Sequence, residues 1–248
     1  PDSLPGYYGV AEGSWKHWAK VWKVDYDWIA RRYATKELME KPGMTVSRWI
    51  DGVLLPEDTI DQPHNLRACV YWGHAPNSQT RGVDMADAMS KLDTLVVIDP
   101  YPSATAAMAA MVRKDGVYLL PATTQFETSG SVTASNRSLQ WREKVIDPLF
   151  EARTDEMIMV QLAAKFGFRD ELVRNYQMSG DQPMVEDILR ELNAGCFTIG
   201  YSGQSPERLK LHMKNQHTFD VKTLRAQGGP CDGDYYGPTL NRAARLMS

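Results

Sequence analysis

The stretch from Asn65 to Phe168 most constrains what this chain can fold into. Three short apolar runs, Ala68–Trp72, residues 94–98 and residues 117–120, alternate with two helical patterns over residues 83–92 and 103–111. Strand-like runs separated by helical patterns of this length predict parallel β-α-β units. The runs are continuously apolar rather than alternating, which predicts strands buried on both faces. Right-handed crossovers then bring every strand C-terminus to one edge, and ligands of such sheets bind outside that edge. The expected fold is α/β, a Rossmann-like three-layer parallel sheet over residues 65–170. A helical or irregular extension is expected over 1–64, and a helical and loop extension over 171–248.

The extensions carry their own signals. Trp15, Trp18, Val21, Trp22, Ile29 and Tyr33 recur at three- and four-residue spacing, which predicts a helix capped by Ser14, with a break near Asp25 and Asp27. Trp15, Trp18, Trp22 and Trp28 are read as a core-facing load, the alternative being a face that docks on further chain. Residues 36–62, punctuated by Pro42, Gly43 and Pro56, read as a connector with a short helix. Met157, Ile158, Val160, Leu162, Ala163 and Phe166 predict a further helix, capped by Thr154 and stopped by Gly167. Shorter helices are expected over 185–192 and 206–215, and Gly-rich loops over 195–204 and 227–237.

Composition excludes several classes. The 248 residues carry a net charge of -3, which argues against a dedicated nucleic-acid binder. No apolar run approaches the roughly 18 residues needed to span a membrane. Cys69, Cys196 and Cys231 lie 127 and 35 residues apart, without a CxxC pair, so they form neither a disulfide scaffold nor a zinc or iron–sulfur motif. There is no GxSxG elbow, and His17, His64, His74, His212 and His217 include no HExxH. The chain starts at Pro1 without a signal-like segment, so a processed product or a piece of a longer polypeptide is expected.

Candidate chemistry concentrates in the three loops that follow the strands. The first reads Gly73-His74-Ala75-Pro76-Asn77-Ser78. A glycine directly after a buried strand lets backbone N–H groups approach a phosphate or heterocycle, and His74, Asn77 and Ser78 add donors; a plain βα turn is the other reading. The loop is neither GxGxxG nor GxxxxGK[ST]. The second strand ends at Asp99, whose carboxylate can accept two hydrogen bonds from guanine N1–H and the N2 amine, or from ribose hydroxyls. The alternative is that Asp99 caps the next helix, but Ser103 already fills that role. The third loop holds Glu127, Gly130, Asn136, Arg137, Gln140 and Trp141 and reads as irregular, hydrogen-bonded structure at the same edge.

Taken in order, these loops resemble the large-subunit family of molybdopterin oxidoreductases. The resemblance rests on Gly73 with Pro76 and Asn77, then Leu92-Asp93-Thr94-Leu95-Val96-Val97-Ile98-Asp99 with Ser103, Thr105 and Ala106. It continues through Leu120-Pro121, Glu127, Gly130-Ser131, Asn136-Arg137, Gln140 and Glu151-Ala152-Arg153-Thr154-Asp155. Within the family, the strings Ser135 to Trp141, Tyr201 to Leu209 and Asn215-Gln216-His217 are similar to the metal-dependent formate dehydrogenases.

The resemblance implies part of a catalytic subunit that oxidises formate to carbon dioxide. It implies a bis(molybdopterin guanine dinucleotide) centre with molybdenum or tungsten. Gly73, His74, Asn77, Asp99, Ser103, Thr105, Asn136 and Arg137 are the implied cofactor contacts, with Asp99 at the position that reads guanine. The family's metal ligand, its neighbouring His and Arg and its four-Cys iron–sulfur motif match nothing in this sequence, so no catalytic or metal residue is expected here. The implied partners are the remainder of the catalytic subunit, which would carry the iron–sulfur cluster, and iron–sulfur or flavin electron-transfer subunits. No direct membrane insertion is implied, and a cytoplasmic location is, with a periplasmic one as the alternative. The other readings are a non-catalytic structural or assembly module of the same fold and another family member such as a nitrate reductase. His74-Ala75 departs from the family's usual Asn/Asp-Pro, and the residues after Gly237 diverge from it.

Overall fold

The computed structural model describes residues 10–46, 48–74, 76, 81–133, 139–195, 205–220, 222–223 and 225–233. The elements begin with α1 (Glu12–Trp22), α2 (Tyr26–Ala30), α3 (Lys36–Glu40) and α4 (Trp49–Leu54). The α/β stretch follows as β1 (Ala68–Trp72), α5 (Gly82–Lys91), β2 (Thr94–Asp99), α6 (Ala104–Val112) and β3 (Tyr118–Pro121). Next come β4 (Gly130–Thr133), β5 (Leu139–Arg142), α7 (Asp155–Phe166), α8 (Arg169–Leu172), β6 (Met178–Ser179) and β7 (Gln182–Pro183). The last are α9 (Val185–Gly195), α10 (Pro206–Lys214), β8 (Phe219–Asp220) and β9 (Arg225–Ala226).

Two compact units emerge. One joins Pro42–Thr124 to Pro148–Asp155; the other joins Pro1–Lys41, Gln125–Asp147 and Glu156–Ser248. These units depart from boundaries at 64/65 and 170/171, for packing reasons. Trp49 and Ile50 of α4 belong to the core of the sheet unit and carry the chain from residue 42 into it. Leu139 and Trp141 of β5 pack with Leu189 of α9 and Leu209 of α10, which draws residues 125–147 into the other unit.

In the sheet unit, β1, β2 and β3 form a parallel sheet in that order. Successive right-handed crossovers in one direction put both connecting helices on the same face. Met85, Ala88 and Met89 of α5 and Ala106 and Ala109 of α6 accordingly pack with Tyr71, Leu95 and Val97 in one buried cluster. The register pairs Val70 with Val96 and Val96 with Tyr118 on the opposite face. There Val70 is 55% and Tyr118 67% exposed, while Ile98 is buried. The α/β fold is as expected, and burial on both faces holds for β2 at Ile98 but not for Val70 of β1 or Tyr118 of β3, so that expectation is corrected at the outer strands. The helices of this unit, α5 and α6, pack on the face of Tyr71, Leu95 and Val97. Continuous apolar runs record the needs of two faces without saying what covers each.

Local chemistry fixes the ends of these elements. Ser103 Oγ accepts the Ala106 N–H at 3.4 Å and caps α6 as expected. Arg113, buried at the end of α6, donates to the carbonyls of Gly116, Met89, Leu92 and Asp93. Two of these lie at the C-terminus of α5, where carbonyls lack intrahelical partners. Gly52 in α4 sits at a close approach: a Cβ there would lie 2.5 Å from Met44 Sδ and 3.0 Å from Leu66 Cδ1, so those side chains would have to shift.

In the second unit, Ala19, Ile29 and Met39 are buried with Trp15, Trp22 and Trp28 packed around them, and Trp15 Nε1 donates to the Met39 carbonyl at 3.1 Å. Trp18 packs instead with the cluster of Leu139, Trp141, Leu189 and Leu209. The tryptophan stripe thus serves two cores. Ser14 does not cap α1: the helix starts at Glu12, and Ser14 N–H already bonds the Ala11 carbonyl. The expected break falls at Lys23, in the left-handed region, after which Asp25 caps α2. Residues 130–142, expected to be irregular, hold an antiparallel pair with Gly130 opposite Arg142 and Thr133 opposite Leu139. β6 with β7 and β8 with β9 form two-residue antiparallel pairs. The Gly-rich segment 196–204 lies outside the described residues. Among the described residues, no helix is long and apolar enough to cross a membrane.

Candidate functional site

The register aligns the strand ends: Trp72 lies beside Ile98, and Asp99 beside Pro121. The residues just beyond therefore share one edge. Gly73 turns the chain away from β1 with φ of 57°, while its N–H donates to the Ile98 carbonyl at 2.9 Å. Open space surrounds the place where its Cβ would be, so the demand for glycine is conformational rather than steric. His74 follows and is exposed.

Asp99 is the last residue of β2 and is half-buried. Its backbone carbonyl accepts from Ala122 N–H at 3.2 Å, and its Oδ1 accepts from Tyr101 N–H at 3.3 Å. No cationic side chain pairs with it among the described residues. These bonds hold the residue in place, and among the described residues only the Tyr101 N–H reaches a carboxylate that can accept several hydrogen bonds. Ser103, four residues on, directs its oxygen to the α6 cap.

A further segment completes this edge. Ala122 and Arg153 form a parallel bridge; Arg153 N–H donates to the Pro121 carbonyl and Thr123 N–H to the Arg153 carbonyl. Trp72 Nε1 donates to Asp155 Oδ1 at 2.7 Å, tying the end of β1 to the same segment. On the other side, Arg81 ends the first loop in a left-handed conformation, φ 71°. Its guanidinium bonds Asp51 Oδ1 at 2.7 Å and Asp84 Oδ2 at 2.9 Å. The hydrogen bond from Arg81, with a second from Arg48, holds the Asp51 carboxyl below its usual range despite the opposing effect of burial.

Gly73, His74, Asp99 and Ser103 therefore come together at the expected edge. Thr105 lies two residues further on, in the first turn of α6, and is 0% exposed. Asn77, Asn136 and Arg137 lie outside the described residues. Arg81, Asp51 and the Trp72–Asp155 pair were not legible as site supports, because each joins residues distant in sequence. Among the described residues, no group of three His, Cys, Asp or Glu side chains is arranged to hold a metal ion. The described edge is equipped to bind a polar, hydrogen-bond-donating group.

Comparison with known proteins gives the same direction. The family model for molybdopterin oxidoreductases matches residues 14–165. The chain is 29% identical over 212 residues to the F420-dependent formate dehydrogenase subunit alpha of Methanocaldococcus jannaschii, covering 85% of this chain and 26% of that protein. It is 30% identical over 170 residues to a trimethylamine-N-oxide reductase of Vibrio cholerae, covering 62% of this chain and 19% of the relative. The chain thus spans about a quarter or less of the length of these relatives. With the sheet, its C-terminal edge and a family match across 14–165 in agreement, the chain belongs to the molybdopterin oxidoreductase family.

Proposed function

We propose that the C-terminal edge of the parallel sheet binds the guanine end of a pterin guanine dinucleotide. Family membership implies a molybdopterin cofactor, and the residues present fit its nucleotide form. The observation that carries this reading is Asp99: a carboxylate fixed at a strand end, without a cationic partner among the described residues, beside the Gly73 turn. Guanine presents N1–H and an N2 amine side by side, and a carboxylate accepts both. Gly73 and His74 flank the path the rest of the nucleotide would take. Ser103 acts through the α6 cap, holding the start of the helix where Asp99 needs it.

For the whole protein we propose part of the catalytic subunit of a molybdenum- or tungsten-dependent formate dehydrogenase. Formate would lose two electrons and one proton to give carbon dioxide. When bound, the metal–pterin group supplies that redox chemistry, and this chain supplies binding and orientation. What favours formate over an N-oxide substrate is coverage: similarity to the formate dehydrogenase subunit extends over 85% of this chain, against 62% for the reductase. Iron–sulfur or flavin subunits are the proposed electron partners.

Two measurements test these readings. Titration of the purified, cofactor-free protein with GMP should give saturable binding, weakened about tenfold by Asp99→Ala, as expected for loss of a bidentate contact to a base. Equal GMP binding by both proteins would remove Asp99 from the site and favour the non-catalytic module. Cofactor-loaded protein within its complete subunit should reduce a viologen dye with formate; oxidation of reduced dye by trimethylamine N-oxide, with no formate activity, would overturn the formate reading. The 248-residue chain by itself is expected to show no formate-dependent dye reduction.

A further inference from the structure

Between the end of β2 and the cap of α6 the chain reads Asp99-Pro100-Tyr101-Pro102-Ser103. Each proline fixes its own φ near -65°, and each restricts the residue before it to extended conformations. Asp99 and Tyr101 are the two residues so restricted. The arch is tied at both ends: Asp99 is hydrogen-bonded into the sheet, and Ser103 caps α6. It is tied across its middle as well, since Tyr101 N–H donates to Asp99 Oδ1 at 3.3 Å. Yet the Tyr101 side chain is 69% exposed.

A large aromatic ring held out to solvent on a rigid arch gains little from folding. Its backbone is ordered already, so a ligand that covers the ring would meet a small further ordering cost. Tyr101 is also two residues from the carboxylate proposed to read a base edge, and its own N–H touches that carboxylate. A base held edge-on by Asp99 has flat faces still to cover, and an aromatic side chain is suited to one of them.

We propose that Tyr101 is a base-stacking platform, placed by Pro100 and Pro102 to cover one face of the purine whose edge Asp99 reads. The proposal rests on the guanine reading of Asp99 and adds a second kind of contact to it. Asp99 distinguishes bases by their hydrogen-bonding edge. Tyr101 adds affinity for any purine, because every base presents a π-face.

That division of labour sets the experiment. GMP and IMP share the purine face and the N1–H, but IMP lacks the N2 amine. Binding of both is measured on the cofactor-free protein and on Tyr101→Ala, Tyr101→Phe, Tyr101→Leu and Asp99→Ala. Tyr101→Ala should weaken GMP and IMP alike, by about tenfold, leaving their ratio unchanged. Tyr101→Phe should retain binding, and Tyr101→Leu should resemble the alanine variant. Asp99→Ala should instead lower the GMP:IMP ratio. The melting temperatures of the Tyr101 variants should stay close to that of the parent protein, because the ring is exposed.

If the parent protein binds GMP and Tyr101→Ala binds it equally well, the platform is overturned while the Asp99 reading stands. If Tyr101→Leu binds as well as Tyr101→Phe, the contact is not aromatic stacking and the proposal fails. If Tyr101→Ala changes the GMP:IMP ratio, Tyr101 reads the base edge and the division proposed here is wrong. If the parent protein binds neither nucleotide, the Asp99 reading fails and the platform with it.

Discussion

Tyr71, Leu95 and Val97 lie on one face of the parallel sheet; Val70, Val96 and Tyr118 lie on the other. The residue types are nearly the same, and their surroundings are not. The first set packs with Met85, Met89, Ala106 and Ala109 from two helices. In the second set, Val70 and Tyr118 are exposed. The difference comes from topology: three strands in sequential order are joined by two crossovers, and the right-handed rule sends both helices to one side. An apolar strand thus records that it tolerates burial on both faces, while strand order decides which face of this unit receives a helix.

Mutations on the two faces should therefore behave differently. Leu95→Ala, at a fully buried position among both helices, should destabilise the protein by about 2–5 kcal/mol in chemical denaturation. Arg113→Met keeps the side-chain length and removes the donors to four carbonyls at the junction of the two helices. It should cost about 2–3 kcal/mol, since buried carbonyls would be left unpaired. A loss as small as that of a surface residue would show that water replaces the guanidinium there.

The Asp51–Arg81 pair is a smaller effect with a defined pH dependence. Its folded-state carboxyl titrates below its unfolded value because Arg81 hydrogen-bonds the charged form. Its contribution is fully present above about pH 4 and is lost as pH falls through the folded-state value. Asp51→Asn should cost roughly 1 kcal/mol or less at pH 7, and the difference from the parent should shrink toward pH 2. A difference independent of pH would assign the effect to packing. Smallest of all, Val70→Ala, at an exposed position of the opposite face, should change stability by no more than about 0.5 kcal/mol. If it costs as much as Leu95→Ala, something covers Val70 in solution and the contrast between the two positions fails.

Much of this unit was legible because its signals are local. The run Ala68–Trp72, the acid at Asp99 and the Ser103 cap each announce a strand or helix boundary within a few residues. From these alone, parallel polarity places Gly73 and Asp99 at one edge, where the structure has them. What was not legible depends on distant partners. Residues 130–142 look irregular because Gly130 and Ser131 are poor strand formers; pairing with Arg142 and Trp141 makes them a strand. Ser14 has the chemistry of a cap, but α1 begins at Glu12 instead. Thr105 sits in a family-like string, and its complete burial in the first turn of α6 comes from packing that the string does not announce.

The central claim is that Asp99 reads guanine, and it can be tested by changing the base and the residue together. Guanine offers two donors to a carboxylate, whereas xanthine offers one donor and one acceptor, the complement of an amide. Binding of GMP and XMP should be measured on the parent protein and on Asp99→Asn, both free of cofactor. The parent should prefer GMP, and Asp99→Asn should reverse the preference toward XMP. An unchanged ratio of the two affinities would contradict the assignment of Asp99 and, with it, the placement of the nucleotide at this edge.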